Sequence, residues 1–277
     1  MKKSIIDKLS KTLIKRGYIL TKATSPKKLK RFLSTLQPRR PQTPLIRLGS
    51  LGDGGYLIPE DLIGISACFS PGVGQVASFE ADLIALDIPC FMADASVSEA
   101  PLESELAHFI PKFISSKHDP KHISLAQWVS DSGKEGDLLL QMDIEGGEFD
   151  VIIHSDESLL KRFRIMVIEF HNFHYLHNAQ SFELYTQIFG KLTKNHSLVH
   201  AHVNNYSDFV EVNGIRIPPL MEFTFLRNDR FAEGTLENYE NLIHYLPNNL
   251  DSDNVSKKKH LTFPIEWFGY GLPGGEK

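Results

Sequence analysis

From residue 63 onward, short apolar runs alternate with stretches of helical periodicity. Ile63–Phe69 predicts a first strand, followed by a helix that carries Val76, Phe79, Leu83 and Leu86 on one face. Cys90–Ala93 predicts a second strand and Lys112–Ser115 a weaker third; a short helix over 124–131 turns Leu125, Trp128 and Val129 inward. Asp137–Met142 is apolar on both faces, and a helix over 147–162, a strand over Arg164–Ile168 and a helix over 179–194 complete the series. Short apolar strands that alternate with helices predict a parallel sheet covered on both faces. The pattern then changes. Ser197–Val203 and Met221–Leu226 have no helix between them, and their connector holds Asn213-Gly214 and Pro218-Pro219, so the two are expected to be antiparallel. The tail from Asp229 shows a helical patch, a polar stretch over 248–259, and then Phe263, Trp267, Phe268 and Tyr270, an aromatic end expected to fold back onto the domain.

The head of the chain is built differently. Residues 4–16 place Ile5, Ile6, Leu9, Leu13 and Ile14 at helical spacing, and residues 26–37 do so with Leu29, Phe32, Leu33 and Leu36 after Pro26. Residues 37–44 hold three prolines and read as a linker. The expected organisation is a basic helical extension over 1–40 and a catalytic domain over 45–277. That domain opens with two short extended pieces, Leu45–Leu48 and Tyr56–Pro59, around the glycine-dense turn Gly49–Gly55.

Composition adds three constraints. With 277 residues and 42% apolar content, the chain can bury one large core. No apolar run approaches the ~18 residues of a membrane-spanning helix, and charges break every short apolar run of the N-terminus, so no secretory leader is expected there. Two cysteines, Cys68 and Cys90, exclude a disulfide scaffold and suit a cytoplasmic protein. The charge is uneven: residues 1–50 hold 14 Lys and Arg against one acid, Asp7, a net +13, while 16 bases and 33 acids leave the remainder at −17. A basic head on an acidic body is expected either to dock on an anionic surface, such as the inner face of a membrane, or to pack on its own acidic domain. No nucleic-acid partner is expected.

Candidate chemistry gathers where the strands end. The first ends in Ser70-Pro71-Gly72-Val73-Gly74 directly ahead of a helix, a turn that lets backbone N–H groups approach a ligand. About 20 residues on, Asp94 closes the second strand, where an acid can accept the hydroxyls of a ribose. With Ala77 the turn also reads G-x-G-x-x-A, compatible with NAD or with S-adenosylmethionine; the antiparallel end of the sheet favours the class I methyltransferase arrangement over a second dinucleotide-binding half. Asp143/Glu145 and Glu169/His171 are polar i,i+2 pairs at the ends of the next two strands, where ligands bind in open α/β sheets. The structural alternatives are an N-cap for Asp143 and a first-turn charge for Glu145. His200 and His202 share a strand face that could equally be half-exposed scaffold. His171, His174 and His177 do not have the H-E-x-x-H spacing of a zinc site.

These segments together resemble the FkbM-type methyltransferases. Arg47-Leu-Gly-Ser-Leu-Gly-Asp53-Gly-Gly-Tyr56 is similar to that family's R-x-G-x-x-x-D-G-G-Y, and Phe69–Gly74 with Ser78-Phe79-Glu80 to its S-F-G-V-G and S-F-E. Asp143-Ile-Glu-Gly146 with Glu148 matches D-[VI]-E-G-x-E, and Ile168-Glu-Phe-His171 and His202-x-Asn204-Asn205…Glu222 also fit, over about residues 45–228. The chain departs where many class I enzymes carry an acid, at Cys68, and where glycine is common, at Ser70; Asp53 could replace the missing carboxylate. The resemblance implies a Rossmann-like class I sheet, S-adenosylmethionine as methyl donor, and O-methylation of a sugar, glycan or other small hydroxylated metabolite. On that reading Asp53, Gly72, Gly74, Glu80, Asp94 and Asp143 surround the cofactor, with Asp94 on the ribose and Asp143 near the sulfonium. His171, poised by Glu169, removes the acceptor's hydroxyl proton. In a second version Asp143, Glu169 and His171 hold Mg or Mn, which lowers the hydroxyl pKa. An NAD(P)-dependent oxidoreductase on a similar fold is the rival activity, and a binding protein without chemistry the rival class.

Overall fold

The structure is a computed structural model and describes residues 2–236 and 246–269. Its strands are β1 Leu45–Leu48, β2 Tyr56–Pro59, β3 Ile65–Pro71, β4 Cys90–Ala93, β5 Ala107–Ile110, β6 Phe113–Ile114, β7 His122–Ile123, β8 Asp137–Met142, β9 Phe163–Phe170, β10 His196–Val203, β11 Val210–Val212, β12 Ile215–Ile217 and β13 Met221–Arg227. Its α-helices are α1 Lys2–Ile14, α2 Pro26–Leu33, α3 Ser78–Ala85, α4 Leu125–Asp131, α5 Glu148–His154, α6 Glu157–Arg162, α7 Ala179–Leu192 and α8 Glu266–Gly269.

Seven strands form the central sheet in the order β10-β13-β9-β8-β3-β4-β5. The pairs from β5 to β9 are parallel, and β13 enters antiparallel between β9 and β10. β3, β8 and β9 are nearly wholly buried because both faces are covered, which is why they read as continuous apolar runs. On one face, α3 and the β1–β2 hairpin pack against Cys68, Leu139, Ile165 and Val167; on the other, α2, α4, α5 and α7 close over Phe69, Leu140, Ile168 and Phe170. The topology is that of a Rossmann-like methyltransferase. An all-parallel second half, as the oxidoreductase alternative requires, is absent from this sheet.

Several sequence expectations change. The strand expected at 112–115 belongs to a separate two-stranded sheet; the third parallel strand is Ala107–Ile110, a half-exposed edge too mixed in polarity to stand out. The helix expected over 147–162 is two helices, because Ser155 and Asp156 are extended between them. Val76 and Leu86 are exposed: α3 begins only at Ser78, and its buried face is Phe79, Glu80 and Leu83. The aromatic end does fold back, with Phe263, Trp267 and Phe268 in the main core; Tyr270 and part of the helical patch after Asp229 lie outside the described residues.

The head divides in two. Ser25 caps α2, accepting from Lys28 N at 3.3 Å, and Leu29, Phe32, Leu33 and Leu36 are buried in the main core, with Phe32 edge-on to Phe182 and Phe189. The backbone N of Arg39 donates to Leu198 O at 2.7 Å. The change of composition near residue 40 is therefore not a change of packing. α1 is different: Ile6, Leu9 and Ile14 are exposed.

Candidate active site

The ends of β3, β4, β8 and β9 bring the candidate residues to one edge of the sheet. At the β3 end, Gly72 has φ +87°, and a Cβ there would lie 1.5 Å from the Asp143 carbonyl oxygen, so only glycine lets the β3 and β8 turns touch. Gly74 faces open space, and its N–H donates to Asp94 Oδ2 at 2.9 Å. Asp94 Oδ1 accepts from Ser96 N at 2.7 Å, which leaves each carboxylate oxygen a lone pair for a ribose hydroxyl.

The lead-in turn is tied to α3. Gly49 N donates to Asp82 Oδ2 at 2.7 Å and Ser50 N to Ser78 Oγ at 3.0 Å, which carries Asp53 over the glycine turn. Asp53, Tyr56 and Glu80 line a cavity of about 330 Å³ beside Gly72 and Gly74. Glu80 is buried against Ser70, whose hydroxyl also lies 2.6 Å from Gln141 Oε1; burial raises the Glu80 pKa. A second cavity, about 490 Å³, lies on the other side of the glycine turn, with Asp94, Ser96 and Ile114 in its wall. A third, about 440 Å³, holds Asp53, Glu169, His171, Asn204 and Tyr206. Asp143 and Glu145 border all three.

His171 lines the third cavity beside these two acids, and Glu148 holds it. Glu148 is fully buried at the start of α5, and its Oε1 accepts from Gly146 N at 3.0 Å, from Ile144 N at 3.2 Å and faces His171 Nδ1 at 3.1 Å. This contact assigns the proton to Nδ1 and leaves Nε2 directed at Glu145 Oε2, 3.2 Å away, and Asp143 Oδ1, 3.8 Å away. Burial acts to lower the His171 pKa, but Glu148, Asp143 and Glu145 outweigh it and hold it above 6.5. Burial is the main cause that raises Asp143 to about 7; Glu145, Asp53 and Glu148 add to it, and His171 opposes it.

Glu169 does not poise His171, as the sequence reading had it. Glu169 is 3% exposed, its Oε1 accepts from Asn204 Nδ2 at 2.9 Å, and burial, Asp143 and Glu222 push its pKa well above the carboxylate range. It pairs across strands with Glu222, which in turn faces His202. The expected metal set Asp143, Glu169 and His171 is corrected likewise: the donors within 4.8 Å of one another are Asp143, Glu145 and His171. His171 Nε2 lies 3.2 Å from Glu145 Oε2, while Asp143 Oδ1 is buried without a hydrogen-bond partner. Asp143 does not cap α5, whose N-cap is Gly147.

His200 and His202 are buried rather than half-exposed, and they anchor the polar stretch 248–259. Asp251 Oδ1 lies 3.0 Å from His200 Nε2, Asn254 Oδ1 3.2 Å from His202 Nε2, and Asn254 Nδ2 donates to Glu222 Oε1 at 2.7 Å. His177 Nε2 faces Val210 O at 3.2 Å, outside the site. Sequence reasoning gave no role to Glu148, Asn204 or Tyr56, although each stands in a quoted motif; Glu145 was named only as Asp143's partner. The role of 248–259 had no local signal.

Residues 77–214 match the family model described as the methyltransferase FkbM domain. The chain carries an FkbM methyltransferase domain. It is accordingly an S-adenosylmethionine-dependent methyltransferase. No curated protein sequence matches the chain. Among solved structures, a fibrillarin/Nop5p complex chain is 12% identical at a TM-score of 0.36, covering 58% of this chain and 72% of that one. A protein assigned to riboflavin biosynthesis from Shewanella sp. PV-4 is 15% identical at a TM-score of 0.21, covering 59% and 75%.

The residues present suit an S-adenosylmethionine site: Asp53, Asp143 and Glu145 line the cavity beside Gly72 and Gly74, acidic groups that would face a sulfonium and an ammonium, and Asp94 lines the adjoining cavity.

Proposed function

We propose that the enzyme methylates a hydroxyl of a neutral, sugar-like acceptor, with His171 as the general base. The observation that carries this reading is the placement of His171 in the wall of the third cavity, with its Nε2 3.2 Å from Glu145, which borders all three cavities, and its tautomer set by Glu148. S-adenosylmethionine, when bound, supplies the electrophilic methyl group. Asp94 would hold its ribose, and Asp143 and Glu145 would face its positive charge. His171 Nε2 takes the acceptor's hydroxyl proton, and the imidazolium so formed is stabilised by Glu148 and Glu145.

The third cavity supports a neutral acceptor. The acidic side chains of Asp53, Asp143, Glu145 and Glu169 stand in its wall, and among the described residues no Lys or Arg does. An acceptor that brought a phosphate or carboxylate would find no cation there to offset its charge in a partly desolvated site. Tyr206, Pro219 and Leu220 offer apolar surface to a sugar face. Of the aromatic residues that follow His171, Phe173 is core and Tyr175 is not in the cavity wall.

Transfer of tritiated methyl from S-adenosylmethionine to panels of neutral glycans, uronic-acid glycans and nucleotide sugars tests the reading. Label on neutral hydroxylated acceptors is the expected result; label confined to anionic ones would sink it. Turnover is expected to persist in EDTA. Loss that Mn or Mg restores would instead put a cation on Asp143, Glu145 and His171.

A further inference from the structure

The N-terminal helix has no work in the catalytic reading. Residues 21–24 are stitched to the domain: Thr24 N donates to His177 O at 2.8 Å and Ala179 N to Lys22 O at 2.9 Å. Before that point large apolar side chains are exposed. Ile6, Leu9, Ile14, Tyr18, Ile19 and Leu20 are each 45–79% exposed, a density of large apolar side chains unmatched on the rest of the described surface. Exposed Lys11, Lys15, Arg16 and Lys22 lie among them, and Lys27 and Arg31 continue the charge along the outside of α2. The one acid in residues 1–50 is Asp7.

A 13-residue helix is marginal in water on its own, so α1 needs a surface to lie on. The acidic body of the same chain could meet the cations, but the large apolar side chains exposed on its described residues, such as Ile63, Val76, Leu86 and Leu184, are scattered along the chain rather than grouped as these six are. An anionic bilayer offers both at once: acidic headgroups for the lysines and arginine, and the acyl boundary for the apolar residues. At about 1.5 Å per residue the helix is near 20 Å long, too short for a ~30 Å hydrocarbon core, so it would lie in the interface plane. We propose that residues 2–22 dock this methyltransferase peripherally and reversibly on an anionic lipid surface.

Cosedimentation of the full-length protein with phosphatidylglycerol/phosphatidylcholine vesicles, and with phosphatidylcholine alone, tests the proposal. Binding is expected to the anionic vesicles only and to weaken as salt rises. Replacing Lys11 and Lys15 by Ala should weaken it about fivefold for each cation. The pair Ile6→Glu and Leu9→Glu should abolish it. Far-ultraviolet circular dichroism and calorimetry with S-adenosylhomocysteine should be unchanged in both variants, because neither touches the core or the site. Equal binding to both vesicle types, binding to neither, or wild-type binding by either variant would overturn the proposal. Since the readout is sedimentation, it stands or falls apart from the identity of the acceptor.

Discussion

Glu148 lies in the first turn of a seven-residue helix, yet its carboxylate points back across the preceding loop to Ile144 N, Gly146 N and His171. The loop permits this because Glu145 and Gly146 both have positive φ, 55° and 101°, and so reverse the chain. Because the charge of Glu148 raises the His171 pKa, Glu148→Gln should lower it. Activity requires neutral His171, so the rise of kcat with pH should move to lower pH in this variant; an unmoved profile would show that Glu148 does not act through His171. His171→Ala should reduce kcat by ~10²–10⁴ with cofactor affinity nearly intact, and a loss below threefold would remove it as the base. Asp94→Ala should weaken S-adenosylmethionine binding by ~1–3 kcal/mol in calorimetry, the cost of charge-assisted hydrogen bonds to the ribose.

At the scale of elements, the segment 248–259 acts as a strap over the ends of β10 and β13. Asn205 Nδ2 donates to Val255 O at 3.0 Å while Val255 N donates to Asn205 Oδ1 at 2.8 Å, and Val255 reaches the wall of the third cavity. Beneath the strap His202 faces Glu222, Asp251, Asn254 and the nearby His200, with Arg47 beside Glu222. Burial acts to lower the His202 pKa, but Glu222, Asp251 and Asn254 outweigh it and bring it to about 9. A histidine whose folded pKa exceeds its unfolded 6.5 stabilises the fold fully below 6.5 and ceases to as pH passes 9. Urea denaturation should therefore show stability falling between about pH 6.5 and 9 by an amount on the order of 1–3 kcal/mol, and His202→Gln should flatten that decline. Equal slopes in the two proteins would mean that His202 is not charged under the strap.

Across the whole molecule the two ends of the sheet hold opposite kinds of polar cluster. At the start of β8 and β9, Asp137 is paired with Arg164 at 2.8 Å and Arg227 at 2.6 Å, and Asp61 with Arg230 at 2.7 Å, so charges are matched. At the other end acidic side chains outnumber cations among the described residues, a balance that suits a positively charged ligand. Between them, α2 is a full member of the core. Leu33→Ala should cost ~2–5 kcal/mol and lower Tm accordingly, as for any buried leucine. A Tm equal to wild type would instead make residues 26–36 a separable appendage.

What the sequence determined by itself was whatever depends on a residue's near neighbours. β3, β8 and β9 were legible because strands buried on both faces must be apolar throughout, and the glycine turn and Asp94 because a strand, a tight turn and a helix fix their spacing locally. The four polar residues at 143, 145, 169 and 171 were legible as strand-end groups for the same reason. Tertiary structure decided which of them touch. Whether His171 meets Glu148 or Glu169 depends on the handedness of one loop and on the pairing of β9 with β13, which turns Glu169 toward Asn204 and Glu222. The strap was invisible in a polar stretch because its partners, His200, His202, Asn205 and Glu222, lie about 30–50 residues earlier in the chain. The burial of α2 and the entry of β13 between β9 and β10 also rest on contacts between distant segments. An amphipathic stripe states that a face must be covered; only the folded chain shows that α2 is covered by the domain while Ile6, Leu9 and Ile14 of α1 stay exposed.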